Sequence, residues 1–252
     1  MERKAVLAGN NKMIQKMVVV IPAYNCALTL ESVFKRISKK SLSRIYRFVV
    51  VNDGSKDNTL DVINSLKKKY KIELINFSQN RGYGAVQKVG FRRAFDIGAD
   101  IGLLLHSDGQ YPPEMIDQML EPILLSRADV VLGSRILGGG ALKGGMPLYK
   151  YLGNRALTIL ENIIFGMNIS EYHTGYTVYS RKALAAIPFE KLSNTFHFDG
   201  EMIMMSGKKK LRIKEIPIPT RYADEKSHLN AISYGLDVLN ILFKYLIGKY
   251  NF

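Results

Sequence analysis

Several apolar runs in the first half of the chain stop abruptly at polar clusters, most sharply in LLLHSDGQYPPE at positions 103–114. The run Ile101 to Leu105 reads as a buried strand. His106, Ser107, Asp108, Gly109 and Gln110 follow, and Pro112 and Pro113 then open the next helix, where a missing backbone donor costs least. An imidazole, a carboxylate and a carboxamide thus gather at the C-terminal end of a strand, the edge where open α/β sheets bind ligands. Asp108, Gln110 and His106 offer hard oxygens and one nitrogen, a set that suits Mg²⁺ or Mn²⁺. Alone, the cluster reads more simply as a strand-to-helix turn with Asp108 as a helix cap. The rest of the chain shifts that balance.

Strand and helix signals alternate through the first half. Strands are expected at Met17 to Ile21, ending at Pro22, and at Arg47 to Val51, Ile72 to Phe77, Ile101 to Leu105 and Asp129 to Leu132. Between them lie helical patterns at Leu28 to Ile37, from a cap at Asn58 or Thr59 to Tyr70, at Gly84 to Ile97 and at Met115 to Leu125. This spacing predicts an α/β fold with a mostly parallel sheet flanked by helices. In the second half, Gly138 to Gly140 and Gly144-Gly145 bracket a flexible loop holding Lys143. A long helix follows, then short strands around Tyr176 to Tyr179 and Leu211 to Ile216, with a helix from Phe198 to Ser206 between them. The expected organisation is one domain over 1–230 and an amphipathic helical tail over 231–252.

Composition narrows the partners. The chain has 252 residues and a formal net charge of +14, which favours acidic partners such as anionic lipid or phosphorylated substrates. Its lysine runs carry no RNA-binding aromatic motif, so nucleic acid is not expected. The single cysteine, Cys26, excludes an internal disulfide and a cysteine-based zinc site, and fits a reducing compartment. Residues 1–16 are basic without a long apolar stretch, so no secretory signal is expected. Two helical segments have unusually broad apolar faces. In 148–165 a narrow polar strip carries Lys150, Asn154, Thr158 and Glu161; in 234–248 it carries Asp237, Asn240 and Lys244. Such helices pack in a core or lie on a membrane interface. A core role is a serious rival for 148–165, and the interface is favoured for 234–248.

Four strand ends carry polar clusters: PAYN at 22–25, NDGS at 52–55, NRGYG at 80–84 and HSDGQ at 106–110. Parallel strands direct these ends to one crevice. Asp53 can accept the imino N–H of a nucleobase. Gly54 lets the backbone pass close to a ligand, and Gly82 and Gly84, beside Arg81, leave room for a ribose or phosphate. Each cluster alone is ordinary turn chemistry; the series is harder to ascribe to turns.

With VVVIPAYN, VVNDGSKDNT, NRGYGAVQKVGF, HSDGQYPPE, GSR at 133–135, TGYTVYS at 174–180 and IPIPTRY at 216–222, the chain resembles the family 2 glycosyltransferases of the GT-A, Rossmann-like type. Within them it is similar to dolichyl-phosphate mannose synthases and bacterial polyprenyl-phosphate sugar transferases. The resemblance runs from about Val18 to Asn230. It implies a nucleotide-diphosphate sugar donor, a divalent metal and a polyprenyl phosphate acceptor at the cytoplasmic membrane face. It makes Pro22, Ala23, Tyr24 and Asp53 the nucleobase pocket, and Asn25, Gly54, Arg81 and Gly82 complete the expected donor site. It makes Asp108 the metal- and diphosphate-facing carboxylate, Gln110 a further metal contact and Arg135 a cation near the reacting phosphates. His106 stands where the family's motif begins with a carboxylate, Cys26 where Glu is frequent and Thr177 where relatives often carry Arg.

An anionic phosphate acceptor needs no general base; a saccharide hydroxyl in surface-glycan assembly does, and Glu201, His173 and Asp199 are the candidates. Lys143, Arg221, Lys226 and His228 are candidates for acceptor or phosphate contact. A catalytically silent nucleotide-sugar-binding protein is the third reading, and a homo-oligomer is compatible with all three.

Overall fold

The computed structural model describes residues 15–219 and 231–252. In chain order the elements are β1 (Met17–Ala23), α1 (Leu30–Arg36), α2 (Lys39–Arg44), β2 (Ile45–Asp53), α3 (Thr59–Leu66), β3 (Ile72–Phe77), α4 (Tyr83–Asp96), β4 (Ile101–Leu104), α5 (Ile116–Leu124), β5 (Val130–Ser134), α6 (Gly140–Lys143), α7 (Leu148–Phe165), β6 (Thr177–Ser180), α8 (Arg181–Ala186), α9 (Phe198–Lys208), β7 (Ile213–Pro217) and α10 (Ala231–Leu246). The strands form one sheet in the order β3-β2-β1-β4-β6-β5-β7. β6 runs antiparallel between β4 and β5; the other pairings are parallel. The expected α/β architecture is therefore present. The chain winds outward from β1 to β3, then crosses back to set β4 on the other side of β1. Connections leaving β1 and β4 diverge, which makes their C-terminal ends the switch point where open α/β sheets bind ligands.

Alternation along the strands feeds two cores. Val19, Ile21, Val50 and Leu103 pack with Phe34 of α1 and Leu120 of α5. Val18, Val20, Val49 and Leu104 pack with Phe91 of α4 and Met202 of α9. Strand β1 continues through Pro22, expected as its end, to Ala23 opposite Asn52. The Val20 carbonyl accepts from Leu105 N on the β4 side, so the missing N–H of Pro22, two residues on, falls where the β4 ladder has already ended. The six-residue helices α2 and α8, too short to show a period, each start with a serine side chain accepting a backbone N–H: Ser38 from Ser41 and Ser180 from Ala183. The glycine-bracketed loop contains the helical turn α6, and a Cβ on Gly140 would lie 2.8 Å from the Ile218 carbonyl oxygen. Close packing over the end of β7 corrects the expectation of a loose loop.

Helices α7 and α10 pack together, with Phe165 and Tyr245 ring centroids 4.8 Å apart. Helix α7 is reversed relative to an ordinary amphipathic helix. Its buried residues are Thr158 and Glu161, while Leu148, Tyr149, Leu152, Ile159 and Ile163 are exposed, Ile163 by 72%. Helix α10 buries Val238, Ile241 and Leu242 and exposes Leu236, Leu239, Phe243 and Leu246. The segment after α10 folds back on α9: Lys208 Nζ donates to the Tyr250 carbonyl at 2.7 Å, and the Tyr250 hydroxyl donates to Glu201 Oε1 at 2.5 Å. Residues 231–252, expected as an appended tail, are thus packed into the body. The expected boundary at 230 lies outside the described residues.

Candidate active site at the strand ends

Loops after β1 and β2 are stitched together. Asn25, with a left-handed φ of 48° that asparagine tolerates, donates its backbone N–H to Ser55 Oγ at 3.0 Å, and its Oδ1 accepts from Lys56 N at 2.8 Å. Asn52 Oδ1 accepts from Ser55 Oγ. Neither expected cap opens α3: Asn58 makes no cap bond, Asp57 Oδ1 accepts from Thr59 N, and Thr59 Oγ1 accepts from Cys26 N. Pro22, Ala23, Tyr24, Asn25, Asp53 and Gly54 are brought to this one corner, with Tyr24 exposed.

Asp53 is 4% exposed. Its Oδ1 accepts from Arg81 N at 2.7 Å and its Oδ2 from Gly82 N at 3.2 Å. The carboxylate expected to meet a base therefore anchors the loop that opens α4. The glycines also differ from expectation. A Cβ on Gly54 would sit 2.5 Å from the Gln79 carbonyl carbon, one on Gly82 3.0 Å from the Asn194 carbonyl oxygen, and one on Gly84 2.6 Å from the Ser193 carbonyl oxygen. The close approach that each glycine permits is therefore to this chain's own backbone. Arg81 is exposed, its guanidinium 4.2 Å from the Phe77 ring centroid.

Past β4, Gly109 takes a φ of +77° and Asp108 Oδ1 accepts from Gln110 N at 3.0 Å, so Asp108 forms a local turn rather than a helix cap. His106 is held from three sides. Its ring meets Tyr111 at 5.0 Å, and a Cβ on Gly175 would lie 2.3 Å from its Nε2. The Tyr83 hydroxyl donates to Asp199 Oδ2 at 2.5 Å and so presents a lone pair to His106 Nε2 at 2.8 Å. That nitrogen is engaged by the phenol, which leaves Nδ1 for the metal contact expected of His106. Burial holds the Asp199 carboxyl above the ordinary carboxylate range, with His106 and Tyr83 pulling partly against it. Burial likewise pushes the Tyr111 phenol up to about 12; its hydroxyl accepts from Gly175 N at 2.8 Å.

Arg135, at the end of β5, meets Glu171, which is fully buried. Arg135 N donates to Glu171 Oε2 at 2.7 Å, its Nε to Oε1 at 2.8 Å and its Nη2 to the His173 carbonyl at 2.5 Å. Asn154 of α7 donates to the same Glu171 at 3.1 Å. The arginine is positioned, and part of its charge is already compensated. His173 Nδ1 lies 2.8 Å from the Tyr234 hydroxyl and its Nε2 3.2 Å from Glu161 Oε2. Glu201, expected as an exposed residue or a base, is buried and accepts from Ser193 N and Tyr250. With Asp199 accepting from Tyr83, all three proton-acceptor candidates are thus engaged inside the protein. Lys143 is exposed at the end of α6, and Thr177 is buried in β6. Arg221, Lys226 and His228 lie outside the described residues.

Sequence reasoning missed Tyr83, Tyr111 and Glu171. Tyr83 and Tyr111 sit inside the motifs NRGYG and HSDGQYPPE, which was a usable signal. Glu171 carries none, because its partner Arg135 lies 36 residues away.

The model of the family described as Glycosyl transferase family 2 matches residues 18–187. Among curated proteins, the UDP-N-acetylglucosamine–dolichyl-phosphate N-acetylglucosaminyltransferase of Methanococcus voltae is 29% identical over 226 residues, 84% of this chain and 88% of that protein. The undecaprenyl-phosphate mannosyltransferase of Micrococcus luteus is 26% identical over 209 residues, 81% of this chain and 82% of that protein. Among solved structures, glucosyl-3-phosphoglycerate synthase of Mycobacterium tuberculosis, crystallised with Mn²⁺, UDP-glucose and phosphoglyceric acid, matches with a TM-score of 0.69 at 18% identity, over 91% of this chain and 79% of that one. That last likeness is one of fold. Together with four polar strand ends on a mostly parallel sheet, the match over 18–187 shows that the chain belongs to glycosyltransferase family 2.

Proposed function

We propose that this chain moves a glycosyl unit from a nucleoside diphosphate sugar to a polyprenyl phosphate while docked on the cytoplasmic face of a membrane. The observation that carries the reading is helix α7. Its polar strip reaches the Arg135–Glu171 pair through Asn154, and its apolar side faces outward beside that of α10. An acceptor with a phosphate head and a hydrocarbon tail meets a polar crevice and an apolar surface in one molecule. The acceptors named for the two curated relatives are lipids of this kind. No helix among the described residues is long and apolar enough to cross a membrane, so attachment in the interface suits α7 and α10, and the +14 charge adds attraction to anionic lipid.

On the donor side, Pro22 to Asn25, Asp53, Gly54, Arg81 and Gly82 frame the nucleoside. Asp108 and Gln110 supply one carboxylate and one carboxamide, a donor set that fits Mg²⁺ or Mn²⁺. His106 would add at most its other ring nitrogen. When bound, the cation would offset charge on the departing nucleoside diphosphate. Arg135, fixed by Glu171, adds positive potential on the β5 side, and Lys143, Arg221, Lys226 and His228 are assigned to the acceptor phosphate. A phosphate oxyanion attacks without surrendering a proton, which agrees with Glu201 and His173 being committed elsewhere. A saccharide hydroxyl acceptor would need one of them freed.

The test uses full-length protein, vesicles containing undecaprenyl or dolichyl phosphate, and a panel of labelled nucleotide sugars with Mg²⁺ or Mn²⁺. Label is expected in the lipid phase. Transfer only to soluble saccharides would decide for the hydroxyl-acceptor reading, and donor stabilisation without any transfer would decide for a silent binding protein.

A further inference from the structure

Glu161 of α7, His173 before β6 and His197 before α9, all distant in sequence from the Asp108–Gln110 pair, come together in the fold. Their side chains are 0%, 7% and 2% exposed. One ligand atom from each lies within 4.8 Å of the others. His173 Nε2 is 3.2 Å from Glu161 Oε2, and His197 Nε2 is 3.7 Å from Glu161 Oε1. Yet both Glu161 oxygens and His173 Nε2 are buried without a hydrogen-bond partner. The groups approach one another without the alignment a direct hydrogen bond needs, and leaving a buried carboxylate so placed is costly.

We propose that Glu161, His173 and His197 form a transition-metal site, best suited to Zn²⁺, separate from the donor-side pair. Two imidazoles and one carboxylate are a common zinc donor set, and bonds of about 2.1 Å in a tetrahedron put ligand atoms about 3.4 Å apart. The 3.2 and 3.7 Å separations, each to a different oxygen of Glu161, lie near that value, and the three ligand atoms lie within 4.8 Å of one another, a spread that a small contraction onto an ion would close. The outer groups agree. Tyr234 Oη lies 2.8 Å from His173 Nδ1 and 3.1 Å from His197 Nδ1. A phenol oxygen has two lone pairs, so it can accept from both Nδ1–H groups. In that arrangement both rings hold the tautomer whose Nε2 lone pair faces Glu161, as metal-binding histidines require. Gly200 of α9 makes room for the His197 ring: a Cβ there would stand 2.4 Å from its Cε1. Burial holds the His197 imidazole neutral, with a pKa down at about 3. The site would tie α7, the loop before β6, α9 and α10 at one point and account for α7 keeping its polar strip inward.

Full-length protein stripped with chelator should take up about one equivalent of Zn²⁺ by elemental analysis and melt at a higher temperature once loaded. Co²⁺ in its place should give visible d–d absorption of a four-coordinate nitrogen–oxygen site. Glu161→Gln and His197→Gln should lose the band, Tyr234→Phe should weaken metal binding about 10–100-fold, and Asp108→Asn should keep it. Uptake below about a tenth of an equivalent with no Co²⁺ band in the wild type would overturn the proposal in favour of a metal-free Glu–His cluster. A band that survives in both Glu161→Gln and His197→Gln would overturn it by placing the metal elsewhere. If those two variants do not fold, the wild-type stoichiometry and spectrum decide alone. None of these readouts involves glycosyl transfer, so the proposed function can fail without touching this one.

Discussion

At the strand ends, polar side chains sit on loops above an apolar sheet, and those side chains tie each loop to the next by hydrogen bonds. In the α7–α10 layer the order is reversed: polar groups of α7 point inward, and aliphatic and aromatic side chains of both helices face out. Fully burying one such side chain is worth about 1.5–3 kcal/mol, so a helix exposing Leu148, Tyr149, Leu152, Ile159 and Ile163 forgoes several kcal/mol. Two things offset that loss. Asn154 and Thr158 find hydrogen-bond partners inside, and the outward face becomes available to a surface that is itself apolar. The strand-end region gathers polar side chains, while the helical layer presents apolar ones, the face proposed to meet a lipid surface.

The largest expected effect separates the two regions by chemistry. Asp108→Asn should lower kcat on the order of a hundred- to a thousandfold or more, because it removes the carboxylate assigned to the donor diphosphate. Its melting temperature should stay within about 2 °C of wild type, since only a local turn bond to Gln110 N is altered. Steady-state kinetics with and without chelator check this; full turnover in excess chelator would break the metal assignment.

Next in size is the exposed apolar face of α7 and α10, proposed above as the membrane contact. Ile163→Asp combined with Phe243→Asp should weaken binding to anionic vesicles on the order of tenfold or more, since each removes about 1 kcal/mol or more of apolar transfer. Both residues are exposed, by 72% and 60%, so the melting temperature should hold. The remaining binding should fall as salt rises. A melting temperature that drops with dilution, without vesicle binding, would sharpen the comparison differently and assign these faces to another copy of the chain.

Much of the first region could be read from the sequence. Apolar runs set the strands, and PAYN, NDGS, NRGYG and HSDGQ marked their ends because turn chemistry uses few residue types. What could not be read was the partner of each group. Gly84 marked a close approach, yet whether a ribose or the Ser193 carbonyl comes close depends on a segment more than a hundred residues away. The same holds for α7. Its narrow polar strip and broad apolar face were legible, but which one points inward is decided by Glu171, His173, His197 and Tyr234, none of which is on the helix. Periodicity fixes the faces of a helix, and only the rest of the chain orients them.

A smaller effect tests Asp53. As the anchor for Arg81 N and Gly82 N, Asp53→Asn should cost about 1.5–3 kcal/mol, near 3–10 °C in melting temperature for a chain of this size. As a reader of the nucleobase alone, it would leave the ligand-free melting temperature unchanged and abolish the shift produced by nucleotide. Thermal melts with and without nucleoside diphosphate separate these roles.

The smallest expected effect lies where the C-terminal segment meets the body. Glu201 is 1% exposed, and one of its oxygens accepts from the Tyr250 hydroxyl. Burial raises the phenol's pKa further above its already high ordinary value, so it remains a donor throughout the physiological range. Tyr250→Phe keeps the ring and removes the donor, leaving Ser193 to satisfy Glu201 through its other oxygen. The expected cost is about 1–2 kcal/mol, or roughly 2–8 °C, with vesicle binding unchanged. Truncation after Asn230 should cost far more, because it also removes the buried Val238, Ile241 and Leu242. Loss of vesicle binding in such a truncation would therefore report unfolding as readily as a lost membrane contact. If Tyr250→Phe leaves stability untouched while the truncation stays folded, residues 231–252 behave as a separable tail after all, and the α7–α10 layer would have to be reassigned as a peripheral attachment.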